Sequence, residues 1–340
     1  MTQNGIPTQV LLAPDKFKGT FSAAEVAAAL AAGLAATGHR SDPCPVADGG
    51  DGTLAALGDA LSLEPLHAEV SDPLGRPTEA VFGLGRGVAV VEMAAASGLV
   101  LVSEAERDPV AASTYGTGEL IAAAVEAGAG HVYVAVGGSA TTDGGAGAVQ
   151  ALRERGWRAA APPARLTVLS DVRTVFEDAA TVFGPQKGAS ADQVRVLSER
   201  LVRVAREYAR DPHGVPMTGA AGGLAGGLWA EFAAELVSGA VFVLNAVGYD
   251  ARMRAARAVV TGEGRLDRTS LVGKAVSEVA TRARQAGVPC HAVVGSNGLE
   301  PFDTRILDLQ LVLEATTLAE IEAAGAQIGE LITSENDRAR

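Results

Sequence analysis

Aromatic side chains make up only 4% of this 340-residue sequence, so its 48% of apolar residues must build a core from close-packed Ala, Val and Leu, as α/β proteins do. Cysteine is scarcer still. Cys44 and Cys290 lie far apart and form no Cys-x-x-Cys pair, which excludes a disulfide scaffold and a thiolate zinc centre and suits a reducing cytoplasm. The five histidines lack metal spacing such as His-Glu-x-x-His, and no Gly-x4-Gly-Lys-Ser/Thr loop is present. Basic runs are missing as well. A net charge of −12 opposes nucleic acid or an anionic membrane as partner, although a few local Lys or Arg can still hold a small anion. No signal peptide is expected, and the longest charge-free apolar stretch of the second half, residues 219–230, is closed by Glu231 and Glu235 and is too short to span a bilayer.

What the chain has in abundance is glycine. Residues 136–147 read Val-Gly-Gly-Ser-Ala-Thr-Thr-Asp-Gly-Gly-Ala-Gly, with five glycines, three hydroxyl residues and one carboxylate. The alternating residues 131–136 before it read as a strand and the Ala/Leu-rich residues 146–152 after it as a helix start. Such a loop can cradle a phosphate, because glycine admits close approach and a helix N-terminus offers free N–H groups, or it can be a plain packing turn. A second run, residues 219–227, continues into an Ala-rich helix with Trp229 and Phe232, where close helix packing explains the glycines equally well.

The ends of the chain alternate strand and helix. Residues 9–13 read as a buried strand, and Ser22 with Glu25 forms a capping box for a helix carrying Val26, Leu30 and Leu34 and ending at Gly38. Between them lies a loop with Asp15, Lys16 and Lys18, at the position where open α/β sheets bind ligands. A strand over 42–47 runs into Asp48-Gly-Gly-Asp51-Gly-Thr and a helix over 54–61; Asp51 can be an N-cap, while Asp48 suits Mg²⁺ or a hydroxyl proton. A hairpin is expected around Asp72-Pro-Leu-Gly75, and Gly83-Leu-Gly85-Arg-Gly87 is rejected as a dinucleotide fingerprint because strand residues follow it. Ser190 and Gln193 box the start of a helix with a stripe of Val194, Leu197, Leu201, Val204 and Tyr208. Just before it, Lys187 sits between Pro185 and Gly188 and reads as an anion contact. Residues 258–261 lead from a strand into Gly262-Glu263-Gly264-Arg265-Leu-Asp267, Lys274 opens a helix, strands follow at 291–294 and 309–313, and a helix over 318–332 closes the chain. A parallel doubly wound sheet built from both ends is the economical reading.

Seven blocks of this sequence, in order along the chain, resemble the bacterial type I glycerate kinase family. They are Ala13-Pro-Asp-Lys-Phe-Lys-Gly, Val46-Ala-Asp-Gly-Gly-Asp-Gly-Thr, Glu92-Met-Ala-Ala-Ala-Ser-Gly-Leu, Gly116-Thr-Gly-Glu-Leu-Ile, residues 136–147, Phe183-Gly-Pro-Gln-Lys-Gly-Ala-Ser and Thr261-Gly-Glu-Gly-Arg-Leu-Asp. The resemblance implies transfer of the ATP γ-phosphoryl group to D-glycerate, at the 2-hydroxyl, with Mg²⁺. It also implies two α/β domains, one flavodoxin-like and made from both chain ends. We expect it over 1–70 and 250–340, with 71–249 inserted as the second α/β domain. A monomer or homodimer is expected.

Phosphoryl transfer needs donors for the phosphates, a metal, and a carboxylate at the acceptor hydroxyl. The phosphates are expected at Gly137, Gly138, Ser139, Thr141, Gly144 and Gly145 with Lys187, the metal at Asp143 and Glu263, and hydroxyl activation at Asp48 or Asp171, with Asp267 next in line. Asp15, Lys18, Arg265 and Lys274 are expected to bind substrate. Four departures from the family pattern stand out: Thr142 in place of Asn, Val-Arg-Thr-Val after Asp171 in place of Asn-Pro-Leu, a short segment between Leu152 and Leu166, and no proline after Gly273-Lys274. They keep open a non-catalytic binding homologue or a kinase of a related hydroxy acid.

Overall fold

The computed structural model describes residues 9–338 apart from 160 and 272. Along the described chain run strands β1 (Gln9–Pro14), β2 (Arg40–Pro43), β3 (Glu64–Ser71), β4 (Pro77–Gly85), β5 (Val88–Glu92), β6 (His131–Ala135), β7 (Arg165–Ser170), β8 (Glu235–Ser238), β9 (Ala258–Glu263), β10 (Cys290–Val294) and β11 (Leu309–Glu314). Two sheets result, ordered β11-β10-β9-β1-β2 and β3-β4-β5-β6-β7-β8. The chain divides into two compact units, Met1–Asp48 with Ala240–Arg340 and Gly49–Gly239.

The terminal unit, made from both ends of the chain, is a parallel sheet throughout. Numbered within the unit, its strands follow the 2-1-3-4-5 order of flavodoxin-like folds. Val10 and Leu12 of β1 and Val260 of β9 share a core with Val26, Leu30 and Leu34 of the helix Ala23–Ala36 and with Ile321 and Ile328 of the helix Leu318–Arg338. The Ser22–Glu25 capping box starts the first of these helices. β2 spans Arg40–Pro43 where the expected strand covers 42–47, and beyond it the N–H groups of Cys44 and Val46 still donate to the Leu12 and Pro14 carbonyls of β1, at 2.7 and 3.0 Å.

In the inserted unit, β3 to β5 pair antiparallel and β5 to β8 parallel, over a core of Val91, Val132, Val134, Val168, Leu120 and Leu224 among others. Its first boundary falls between Asp48 and Gly49, not near residue 70, and its second after Gly239, not near 250. The cause is local. β3 pairs with β4 along its whole length, and the helix Thr53–Leu61 lacks a side-chain cap of its own; the N–H groups of Gly52 and Leu54 donate instead to Glu92 Oε1 at the end of β5, each at 2.8 Å. Residues 49–70 are therefore tied to the second sheet. Among the described residues, no helix is long and apolar enough to cross a membrane.

Candidate active site

In the terminal unit, β1 lies between β2 and β9, in register Pro14↔Gly262 with the latter, so the strand order reverses between β1 and β9. Open α/β sheets bind ligands beyond the carboxyl ends of their strands at such a point. A cleft of about 390 Å³ opens there, lined by the loops that follow the strands. It gathers Asp15, Lys18, Asp48, Glu263, Arg265 and Lys274, together with Lys16, Phe17, Thr20, Gly264, Gly295, Ser296 and Thr316. Gly295 is needed for packing, since a Cβ there would collide with the Gly264 carbonyl.

Opposite charges alternate around this cleft. Burial, and then the Asp48 charge, raise the Asp15 carboxyl well above the usual carboxylate range, even though its Oδ1 accepts the Lys16 N–H at 2.7 Å. Glu263 is 7% exposed, and burial likewise pushes its carboxyl up, against the pull of the Lys274 ammonium 3.3 Å from Oε2. Burial opposes the charge of Lys274, but Glu263, Asp48 and Asp267 outweigh it and raise its pKa. Glu263 Oε1 is buried and has no hydrogen-bond partner among the described residues.

Asp267 is not among the residues lining the cleft. Its Oδ1 accepts the Thr269 hydroxyl at 2.6 Å and N–H at 2.9 Å, and Arg265 Nε stands 3.2 Å from Oδ2. The Thr269 hydroxyl bond holds its carboxyl below the usual range, which makes it a poor base and an organiser of the turn.

The glycine-rich loop 137–147 lies in the inserted unit, between β6 and the helix Ala146–Glu154. Asp143, expected as a metal ligand, has another task here. Its Oδ1 accepts Gly145 N–H at 2.9 Å, and its Oδ2 accepts Thr114 N–H and hydroxyl, both at 2.8 Å, and Gly147 N–H at 3.1 Å. A side chain 6% exposed with four such bonds satisfies N–H groups at the start of the helix and ties it to the start of the helix Tyr115–Glu126. The expected phosphate donors Gly144 and Gly145 are also spent, Gly144 N–H on the Gly222 carbonyl at 3.0 Å and Gly145 N–H on Asp143, while Gly137 N–H meets the Gly49 carbonyl at 3.3 Å.

Lys187 differs from expectation in the same way. It is 2% exposed, its Nζ donates to the Thr141 carbonyl, and burial lowers its pKa to about 7, so it supports the loop from within. From the second glycine run, Gly222 packs so closely that a Cβ would strike the same Thr141 carbonyl. Tyr208 completes the support by donating to the Gly144 carbonyl at 2.7 Å. What the loop keeps uncommitted are the buried hydroxyls of Thr141 and Thr142, which have no partner among the described residues. Asp171 follows β7 directly, half-buried.

Six of the expected site residues thus share the cleft of the terminal unit, while Asp143, Lys187, Asp171 and the glycine loop belong to the inserted unit. Sequence reasoning missed Ser296 and Thr316. Their signal was their place just beyond the expected strands over 291–294 and 309–313, the same signal that singled out Asp15.

The comparisons with known proteins agree with this topology. The profile of the glycerate kinase family matches residues 10–161 and 154–335, two stretches that overlap at the short segment before β7. A Bacillus subtilis glycerate kinase is 39% identical over 327 residues, taking in 85% of each chain. One from Halalkalibacterium halodurans is 37% identical over 325 residues, 85% of this chain and 86% of the relative. The glycerate 2-kinase of Escherichia coli K12 is 37% identical over 324 residues, 85% of each. A crystal structure provisionally named glycerate kinase 2, from Salmonella typhimurium LT2, matches with a TM-score of 0.81 at 30% identity, covering 97% of this chain and 100% of that one. With matches at these identities over most of its length, the chain belongs to the glycerate kinase family.

Proposed function

We propose that this chain transfers the γ-phosphoryl group of ATP to D-glycerate, giving 2-phosphoglycerate. The observation that carries this reading is the cleft of the terminal unit, where cations able to hold an anionic acid stand among carboxylates able to take a hydroxyl proton. Its volume of about 390 Å³ is ample for a three-carbon acid. Lys18 and Arg265 bind the acceptor carboxylate by charge-assisted hydrogen bonds. Asp48 orients the reacting hydroxyl; as its oxygen bonds to the γ-phosphorus and the bridging P–O bond to ADP breaks, the proton passes to this carboxylate. The buried hydroxyls of Thr141 and Thr142, with Gly138 and Ser139, are the groups we assign to the nucleotide phosphates.

The residues of the cleft fit Mg²⁺. The Asp48 charge raises the cost of ionising Asp15, which a dication would relieve, and Mg²⁺ asks for only one or two carboxylates beside phosphate oxygens. Asp15 would hold the ion, whose charge would offset that of the phosphates. A coupled assay of ADP release across three- and four-carbon hydroxy acids tests the reading. D-Glycerate should be turned over best; ATP use with another acid alone would replace glycerate as substrate, and no ADP release with any acid would favour a binding protein without turnover.

A further inference from the structure

Glu263 sits at the end of β9 with one carboxylate oxygen engaged and one idle. Oε2 faces the Lys274 ammonium at 3.3 Å, whereas Oε1 is buried without a partner among the described residues. The nearby Ser270 hydroxyl pulls the carboxyl pKa down but is shared with the Arg265 carbonyl at 3.4 Å, and it leaves Oε1 without a hydrogen bond of its own. An unpaired buried carboxylate oxygen is costly, and native proteins keep one where a ligand supplies the missing donor. The terminal torsion of Glu is broad, so a small rotation presents this oxygen to the cleft that the residue lines.

Which donor fits is decided by charge. The carboxylate is already neutralised by Lys274, and a divalent ion on Oε1 would face an ammonium across the same group. A neutral hydroxyl meets no such repulsion. Thr20, Ser296 and Thr316 also line the cleft, but they can turn either way as donor or acceptor, while an ionised carboxylate can only accept. On the acceptor, the carboxylate is met by Lys18 and Arg265 and the reacting hydroxyl by Asp48. The group left unmatched is the second hydroxyl.

We infer that Glu263 accepts a hydrogen bond from the non-reacting hydroxyl of the acceptor, and so selects hydroxy acids carrying two neighbouring hydroxyls over those carrying one. The inference rests on the cleft being the acceptor site, as proposed above. It assigns Glu263 to specificity and not to the metal. D-Lactate, which keeps the 2-hydroxyl and lacks the 3-hydroxyl, is the matching probe.

The experiment compares D-glycerate with D-lactate in the full chain, wild type and Glu263→Gln. Wild type should prefer D-glycerate in kcat/KM by roughly 10³-fold or more, because the analogue strands a buried acceptor. In Glu263→Gln the single carbonyl oxygen is drawn to the Lys274 ammonium and an amide N–H takes the Oε1 position, so kcat/KM should fall about 10- to 100-fold for D-glycerate and less than about threefold for D-lactate, as loss of a charged acceptor requires. An equal loss on both acids, with a raised Mg²⁺ requirement, would overturn the inference and return Glu263 to the metal. Calorimetric titration of the wild-type chain with each acid, without nucleotide, is the second measurement and depends on no variant folding. Tighter D-glycerate binding by about tenfold or more supports the inference, and equal affinities refute it. Failure of wild type to phosphorylate D-glycerate would sink the proposed activity, while the calorimetric comparison would still decide the contact.

Discussion

Replacing Asp143 by Asn separates a structural carboxylate from a metal ligand, because the two roles differ in what the variant loses before any ligand is added. In the loop, Oδ2 receives three hydrogen bonds, from Thr114 N–H, the Thr114 hydroxyl and Gly147 N–H, and Oδ1 a fourth from Gly145 N–H. Asparagine has one carbonyl oxygen. Set at the Oδ2 position it keeps three bonds as neutral ones, each weaker by about 1 kcal/mol than a bond to a charged acceptor, and its amide then confronts Gly145 N–H. The lost bond and the stranded donor cost about 1–3 kcal/mol more. Relaxation of the loop offsets part of this, so we expect a net loss of about 2–4 kcal/mol, against total stabilities of about 5–15 kcal/mol for a domain. The assay is urea unfolding of the nucleotide-free protein without Mg²⁺, followed by tryptophan fluorescence. Trp157 and Trp229 are the only tryptophans and both lie in the inserted unit, so the signal reports the unit that contains the loop. Trp157 is 3% exposed against Phe232, with ring centroids 5.4 Å apart, and will respond to loss of packing. An unchanged midpoint together with a raised Mg²⁺ requirement would refute this account of Asp143.

Two other substitutions test the remaining assignments. Lys187→Met should flatten the pH dependence of stability: the wild-type ammonium titrates near 7 when folded and near 10.5 otherwise, so the unfolded chain binds more protons between those values and wild-type stability rises with pH across that window. The variant should match or exceed wild-type stability at pH 7 while losing about tenfold in kcat/KM for ATP, because the Thr141 carbonyl loses its anchor; an unchanged pH slope would show that Lys187 is not the buried cation. Asp48→Asn should lower kcat by roughly 10²- to 10⁴-fold with little change in ATP affinity, if its carboxylate takes the hydroxyl proton. Near-normal kcat in that variant, with kcat abolished in Asp171→Asn, would transfer the role to Asp171.

Much of the fold could be read from local chemistry. The capping boxes at Ser22 and Ser190, the alternation in β6 and the apolar runs of β1 and β9 are signals carried by a few adjacent residues. The cleft was legible for the same reason, since Asp15 follows β1 directly, Glu263 ends β9 and Asp48 lies in the loop after β2. What escaped depended on distant partners. Asp143 looks ligand-facing among glycines, yet its direction is set by Thr114, 29 residues away in sequence. Lys187 reads as an anion contact until residues 219–223 and Tyr208 are packed around the same loop. The boundary near 70 was misplaced because a helix after a strand looks like continued alternation, and only the β3–β4 pairing assigns it to the other sheet. β8, with four residues, offers too few positions for alternation to be seen.

The most direct test of the account is phosphorus NMR of the purified chain incubated with ATP, Mg²⁺ and D-glycerate. Equimolar ADP should appear with a phosphomonoester coupled to the single C2 proton, the signature of 2-phosphoglycerate. A phosphomonoester coupled to the two C3 protons would contradict the assigned hydroxyl, and unchanged ATP beside unmodified D-glycerate would contradict the activity itself.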